Sequence, residues 1–221
     1  MAAEKSSPGA VQAVIFDLDG VLVSSIPVHV EAYKRTFAAE GREFTHEEYM
    51  RSGAGASREV LIRRVMGEIP EEKLSELMAA KERHARECVA ERGLEPIPGA
   101  REFVEAVKGR GLKTAVATGS RSPELLLGGA GLADLFEVVV DRRDVEHPKP
   151  HPEIYALTTR RLGVSPTSCI ALEDSPPGVE AALAAGLRVI ALTTTEPADR
   201  LVAAHRVVAS FGEIDLDDWL G

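Results

Sequence analysis

No apolar stretch in this chain of 221 residues is long enough to cross a bilayer, so a membrane-spanning role is not expected. A basic surplus is missing as well. The 26 Lys and Arg residues are outnumbered by 35 Asp and Glu, giving a formal charge of −9, whereas a general nucleic-acid binder needs a basic footprint. Cysteine is scarce. Only Cys88 and Cys169 occur, one in a helical and one in an apolar context, so buried free thiols are expected rather than a disulfide or a metal site. Repeats and low-complexity tracts are absent, and no coiled-coil seam appears, so a monomer is expected. The segment Met1 to Gly9 lacks the apolar centre of a secretion signal, and residues 1–10 read as a flexible tail on a cytoplasmic protein.

What is present is a globular composition, with 44% hydrophobic and 28% charged residues, patterned in two blocks. Strand candidates are Val11 to Phe16, Thr114 to Ala117, Val138 to Val140, Cys169 to Leu172 and Val189 to Leu192, with a weaker one near Val207 and Val208. Between them run helical patterns at Ala100 to Lys108, Glu124 to Leu127, Pro152 to Leu162, Pro176 to Ala185 and Pro197 to Ala204. Strands alternating with helices at this spacing predict an α/β fold with a mostly parallel sheet covered on both faces. Residues 27–95 contain no credible strand. Helical segments at Glu31 to Glu40, Arg58 to Met66 and Pro70 to Arg92 predict an α-helical cap inserted after the first strand, leaving 11–26 and 96–221 as the core. Lys81 interrupts the apolar face of the last of these helices.

Four polar groups fall at the carboxyl ends of strand candidates or in the loops after them, where open α/β sheets collect their ligands. The first is Asp17-Leu18-Asp19-Gly20. A carboxylate at Asp17 is suited to attack phosphorus, and Asp19 to exchange a proton with the leaving and entering oxygens. Alone, the pair reads equally well as a solvated turn. The second is Thr118-Gly119-Ser120, whose hydroxyl and backbone N–H groups could cradle phosphate oxygens. The third is Lys149, held between Pro148 and Pro150, which would balance charge on Asp17 and on a transferring phosphoryl group. The fourth is Glu173-Asp174. With the Asp17 carboxylate and the Asp19 carbonyl, Asp174 would complete a hard-cation site of the kind Mg²⁺ takes, with Glu173 holding a metal-bound water. In combination the four are far more specific than any one.

These motifs resemble those of the haloacid dehalogenase-like hydrolase superfamily, helical-cap class, and most nearly the β-phosphoglucomutases and sugar-phosphate phosphatases. The resemblance spans nearly the whole chain after Ala10. It implies a Rossmann-like core, a Mg²⁺ cofactor and a phosphoenzyme formed on Asp17, with a small phosphorylated metabolite, most naturally a sugar phosphate, as substrate. Dehalogenases of this superfamily normally lack a second aspartate, here Asp19. In the cap, Gly55-Ala56-Ser57-Arg58 resembles the mutase segment whose arginine grips a nonreacting phosphate. The resemblance adds Lys81 and His29 as cap contacts and Arg121 as a core cation near phosphate. Arg58 and His29 could equally be a wet helix face and a packed helix partner. Ser24-Ser25 departs from the acidic-then-hydroxyl pair usual in both mutases and phosphatases, while Leu61 and the Thr118-Gly119-Ser120 loop depart from the mutase pattern. They favour hydrolysis, with a phosphosugar mutase second and a noncatalytic phosphometabolite sensor third.

Overall fold

The computed structural model describes residues 10–52 and 57–220. Residues 1–9 of the expected tail, and Gly55 and Ala56 of the cap segment, lie outside these. The chain divides into two compact units, one formed by Met1–Ser24 with Glu95–Gly221 and the other by Ser25–Leu94.

The first unit is built on six parallel strands: β1 (Ala13–Phe16), β2 (Lys113–Ala117), β3 (Val138–Val140), β4 (Cys169–Glu173), β5 (Arg188–Leu192) and β6 (Arg206–Val208). Their order is β3-β2-β1-β4-β5-β6, so β1 is central and the chain reverses its direction of travel across the sheet on either side of it. Every residue of β1 is buried, which is why it reads as an unbroken apolar run rather than an alternating one. Alternation persists in what each residue meets. Ala13 and Ile15 join Ala115, Ala117, Ala171 and Val189 in one core layer, together with Ile154 and Tyr155 from α7 (Glu153–Leu162) and Val179 from α8 (Pro176–Ala184). Phe16 instead packs edge-on against Phe103 of α5 (Ala100–Gly109) and against Phe136. A shorter helix, α6 (Pro123–Gly129), follows β2, and α9 (Asp217–Leu220) closes the chain.

Only one strand–helix expectation is overturned. Pro197 to Ala204 forms a single 3₁₀ turn at Ala198–Arg200, not a helix. Leu201 is buried while Val202 is 74% exposed, so this short segment has no apolar face wide enough to dock a helix. Elsewhere the element ends move by one to three residues, as frayed ends do, except that the helix expected from Glu31 begins five residues earlier, at Ile26, with Pro27 in its first turn.

The second unit is helical: α1 (Ile26–Ala38), α2 (His46–Ser52), α3 (Arg58–Met66) and α4 (Glu71–Arg92). Its core gathers Tyr33, Phe37, Phe44 and Tyr49, with Tyr33 stacked on Phe37 at 5.7 Å between ring centroids. The sequence reading lacked α2. Its start is a capping box, in which Thr45 Oγ1 accepts from Glu48 N (3.1 Å) and Glu48 Oε2 accepts from Thr45 N (2.9 Å). Where the chain leaves the first unit and returns to it, Val23 pairs with Pro96 and Ser24 N donates to Glu95 O at 3.3 Å. Among the described residues no helix is long and apolar enough to cross a membrane.

Both cysteines are free and buried. Burial pushes the Cys169 thiol up to about 12 and raises that of Cys88 too. Since only thiolate reacts, a group at 12 is about 10⁻⁴ ionised at pH 8. A chromogenic disulfide reagent should therefore title neither cysteine in the native protein within minutes and both in denaturant. Rapid labelling of Cys169 in the folded state would contradict this burial.

Candidate active site

In register, Phe16 of β1 lies opposite Val116 of β2 and Leu172 of β4. The next residues, Asp17, Ala117 and Glu173, therefore stand level at the carboxyl ends of three adjacent strands. Asp17 N donates to Leu172 O at 2.9 Å, which holds its backbone in the sheet as the chain turns out. The turn depends on Gly20. Its φ is +84°, and a Cβ there would lie 1.9 Å from Asp174 Oδ2, so a side chain is excluded on both counts.

Lys149 enters this row of strand ends from the loop before α7. Its Nζ donates to Asp17 Oδ1 (2.6 Å), Glu173 Oε1 (2.6 Å) and Ala117 O (3.0 Å), which uses all three ammonium hydrogens. Burial alone would lower the lysine, but Asp17 and Glu173 outweigh it and push its pKa well above the usual range. Asp17 is driven well above the ordinary carboxylate range by burial and by its acidic neighbours, against the pull of Lys149. Asp174, raised to about 7 chiefly by burial and then by Glu173, follows the same logic.

Glu173 is completely buried and fully subscribed. Oε1 accepts from Lys149 and from the Tyr155 hydroxyl (2.6 Å), while Oε2 accepts from Asp174 N (3.2 Å) and Ser175 Oγ (3.3 Å). Four donors fill the lone-pair capacity of a carboxylate. Ser175 also caps α8 by accepting from Gly178 N. A Cβ on Gly178 would lie 2.0 Å from Glu173 Oε2, so that helix start must approach the acid as bare backbone. Asp174 Oδ2 is held by Thr195 Oγ1 at 2.5 Å.

Asp17, Glu173 and Asp174 each offer an oxygen, all within 4.8 Å of one another. Three carboxylates facing one ammonium leave a buried excess of negative charge, which calls for a cation. The donors are all hard oxygens, and they fit Mg²⁺ rather than a softer metal.

Asp19 lies two residues beyond Asp17 and is half-buried. Thr118 is fully buried just after β2; its N donates to Val140 O, and its Oγ1 accepts from Ser120 N at 2.9 Å. That bond folds Thr118-Gly119-Ser120 into a tight loop, with Gly119 and Arg121 exposed at its surface. His29, Arg58 and Lys81 belong to the helical unit. Lys81 is only 4% exposed, with Nζ 3.0 Å from His29 Nδ1 and 5.3 Å from the Tyr33 ring centroid. Arg58 lies 3.2 Å from Glu82. The lysine that interrupts an apolar face is thus a buried member of a polar pair.

Two partners escaped the sequence reading. Tyr155 sat on the apolar face of a helix, where a tyrosine passes for core, although its hydroxyl requires a partner once buried. Thr195 ends a run of three threonines directly after β5, again at a strand's carboxyl end, and that position was the available signal. Changing Tyr155 to Phe removes one of four donors to a buried carboxylate and should cost about 1.5–3 kcal/mol in a denaturant titration. An unchanged midpoint would mean that the hydroxyl is not holding Glu173.

A family model described as haloacid dehalogenase-like hydrolase matches residues 11–186. Protein CbbY of Rhodobacter capsulatus is 34% identical over 196 residues, covering 84% of this chain and 86% of that protein. A phosphorylated carbohydrates phosphatase of Thermotoga maritima is 36% identical over 193 residues, covering 81% and 83%. Among solved structures, CbbY of Rhodobacter sphaeroides in complex with xylulose-1,5-bisphosphate superposes with a TM-score of 0.82 at 30% identity, over 92% of this chain and 96% of that one.

Proposed function

The chain belongs to the haloacid dehalogenase-like hydrolase family, and from that premise we propose that it hydrolyses a small phosphate monoester, a sugar phosphate, through an aspartyl phosphate on Asp17. The observation that carries this reading is the Asp17 carboxylate, held 2.6 Å from Lys149 Nζ and grouped with Asp174 at the strand ends. The substrate class rests on the relatives, one named for phosphorylated carbohydrates and one solved with a sugar bisphosphate.

In this mechanism one Asp17 oxygen attacks phosphorus while Lys149 steadies the other and fixes the rotamer. Asp19 protonates the departing sugar oxygen and then deprotonates the water that opens the acyl phosphate, a role worth about 10²–10⁴-fold. The Thr118 hydroxyl and the Gly119 and Ser120 amides receive the phosphoryl oxygens, with Arg121 beside them as a further cation. His29, Arg58 and Lys81 contribute to choosing the substrate. Asp17, Asp174 and the Asp19 carbonyl would hold Mg²⁺, with Glu173 acting through its hydrogen bonds. Mg²⁺, when bound, supplies positive charge against the nucleophile and the phosphoryl oxygens. We take the enzyme to be cytoplasmic and monomeric, with a diffusible metabolite as its partner.

The test is a panel of pentose and hexose phosphates assayed for both free phosphate and isomerised sugar, with Mg²⁺ and with chelator. We expect phosphate release that falls at least tenfold on chelation. Isomerisation faster than release, dependent on a bisphosphate primer, would replace this reading with the mutase. Tight ligand binding with no turnover would replace it with a sensor.

A further inference from the structure

Among the described residues, one group of ligating side chains outside the acid–ammonium cluster gathers on the surface. His147, His151 and Glu153 each present a donor atom within 4.8 Å of the others. They occur in the segment His147-Pro148-Lys149-Pro150-His151-Pro152-Glu153, whose last residue opens α7. His147 Nδ1 is 3.0 Å and His151 Nδ1 is 3.8 Å from the same oxygen, Glu153 Oε2. The two rings face each other at 4.5 Å between centroids, tilted by 35°.

We propose that His147, His151 and Glu153 form a binding site for a divalent transition metal, Zn²⁺, separate from the carboxylate cluster around Asp17. Zinc holds imidazole nitrogen and carboxylate oxygen at about 2.0–2.2 Å, so neighbouring ligands on one ion sit about 3–3.5 Å apart. The 3.0 and 3.8 Å separations bracket that spacing, and closing the third edge needs only side-chain rotation. Both imidazoles are solvent-accessible, at 60% and 50% exposure; His147 Nδ1 lies at hydrogen-bond distance from Glu153 Oε2 and His151 Nδ1 accepts from Glu153 N at 3.3 Å, so each ring exchanges one hydrogen bond for the ion.

The carboxylate is already aimed. Glu153 Oε1 accepts from Glu146 N and Oε2 from His147 N, each at 3.0 Å. Pro148, Pro150 and Pro152 lock φ at three of the five positions between the outer ligands, which removes much of the ordering cost of chelation. Two imidazoles with one carboxylate suit Zn²⁺, Ni²⁺ or Cu²⁺ and serve Mg²⁺ poorly, which prefers an all-oxygen shell. Because Lys149 lies between the two histidines in sequence, an ion there clasps the loop that delivers the ammonium to Asp17. It ties that loop to the first turn of α7.

The test is Zn²⁺ titration against a chromophoric chelator, with millimolar Mg²⁺ present to occupy the carboxylate cluster. We expect one equivalent of Zn²⁺ bound, at least tenfold weaker binding in His147→Gln and in His151→Gln, and unchanged binding in Asp17→Asn. On the unmodified protein, imidazole NMR signals of His147 and His151 should shift with Zn²⁺ before those of the other four histidines, which keeps the test independent of how the variants fold. No bound Zn²⁺, affinity unaltered by either histidine substitution, or binding lost in Asp17→Asn alone would overturn the site. None of these outcomes bears on phosphate release, so the proposal and the hydrolase reading fail separately.

Discussion

Turnover of the best sugar phosphate should drop by about 10⁴-fold or more when Asp17 is changed to Asn, while the folded state loses nothing. A carboxamide matches the carboxylate in shape but has no anionic oxygen to form an acyl phosphate. Ten-fold steps in rate correspond to about 1.4 kcal/mol each, so the loss approaches 5–6 kcal/mol of transition-state stabilisation. Stability moves the other way. Burial and the neighbouring acids already oppose charge on Asp17, and neutralising it relieves that crowding, while Lys149 keeps Glu173 and the Ala117 carbonyl as partners. The thermal midpoint should therefore hold or rise, as is common where function demands a strained charge arrangement. Isotopic phosphate transferred from substrate should label the parent protein and leave the variant blank. A labelled Asn variant, or one within tenfold of parental turnover, would remove Asp17 from the nucleophile's role.

The opposite signature is expected of Lys149→Ala. Here two buried carboxylates, Asp17 and Glu173, lose the only ammonium that bridges them among the described residues. Stripping one partner from a buried ion group costs about 3–5 kcal/mol, because the remaining charge has neither water nor a counterion. The denaturant midpoint should fall accordingly, and turnover should fall with it by about 10³-fold as Asp17 loses its fixed rotamer and the phosphoryl oxygens lose a donor. Added Mg²⁺ should recover part of the stability and little of the rate, since the ion replaces charge without replacing the tether. Combining the two changes gives a sharper measurement. With Asp17 already neutral, removing Lys149 should cost less than in the parent, so the pair departs from additivity by about 0.5–3 kcal/mol. Additive losses would show that the two side chains do not share their charge.

Much of this site could be read from the sequence because parallel sheets impose an address. Each apolar run that ends in a polar residue delivers that residue to one edge, so Asp17, Thr118, Glu173 and Asp174 could be gathered without coordinates. Lys149 was legible for a different reason: prolines on both sides mark a position whose backbone is restricted. Roles assigned by distance were less visible. Glu173 reads as a metal neighbour in the sequence, and only the four donors around it make it the anchor of Lys149. Tyr155 was hidden because burial of the ring and bonding of the hydroxyl leave the same apolar-face pattern. Lys81 is the converse case, since a charge on an apolar stripe looks like an interruption until its partner His29, in a different helix, is seen. The segment after Pro197 misled because periodicity over eight residues cannot reveal that only Leu201 finds a burial site.

The pairing of Val23 with Pro96, and of Ser24 with Glu95, has an evolutionary consequence. To the sheet, the entire helical insert is a closed loop whose two feet are hydrogen-bonded neighbours. Closing a loop of about 70 residues costs on the order of 4 kcal/mol in chain entropy, and doubling its length adds only about 0.6 kcal/mol. The catalytic scaffold is thus nearly indifferent to how much chain is spliced in at this point. Selection can lengthen, shrink or exchange the graft with little penalty to the folding of the body that holds Asp17.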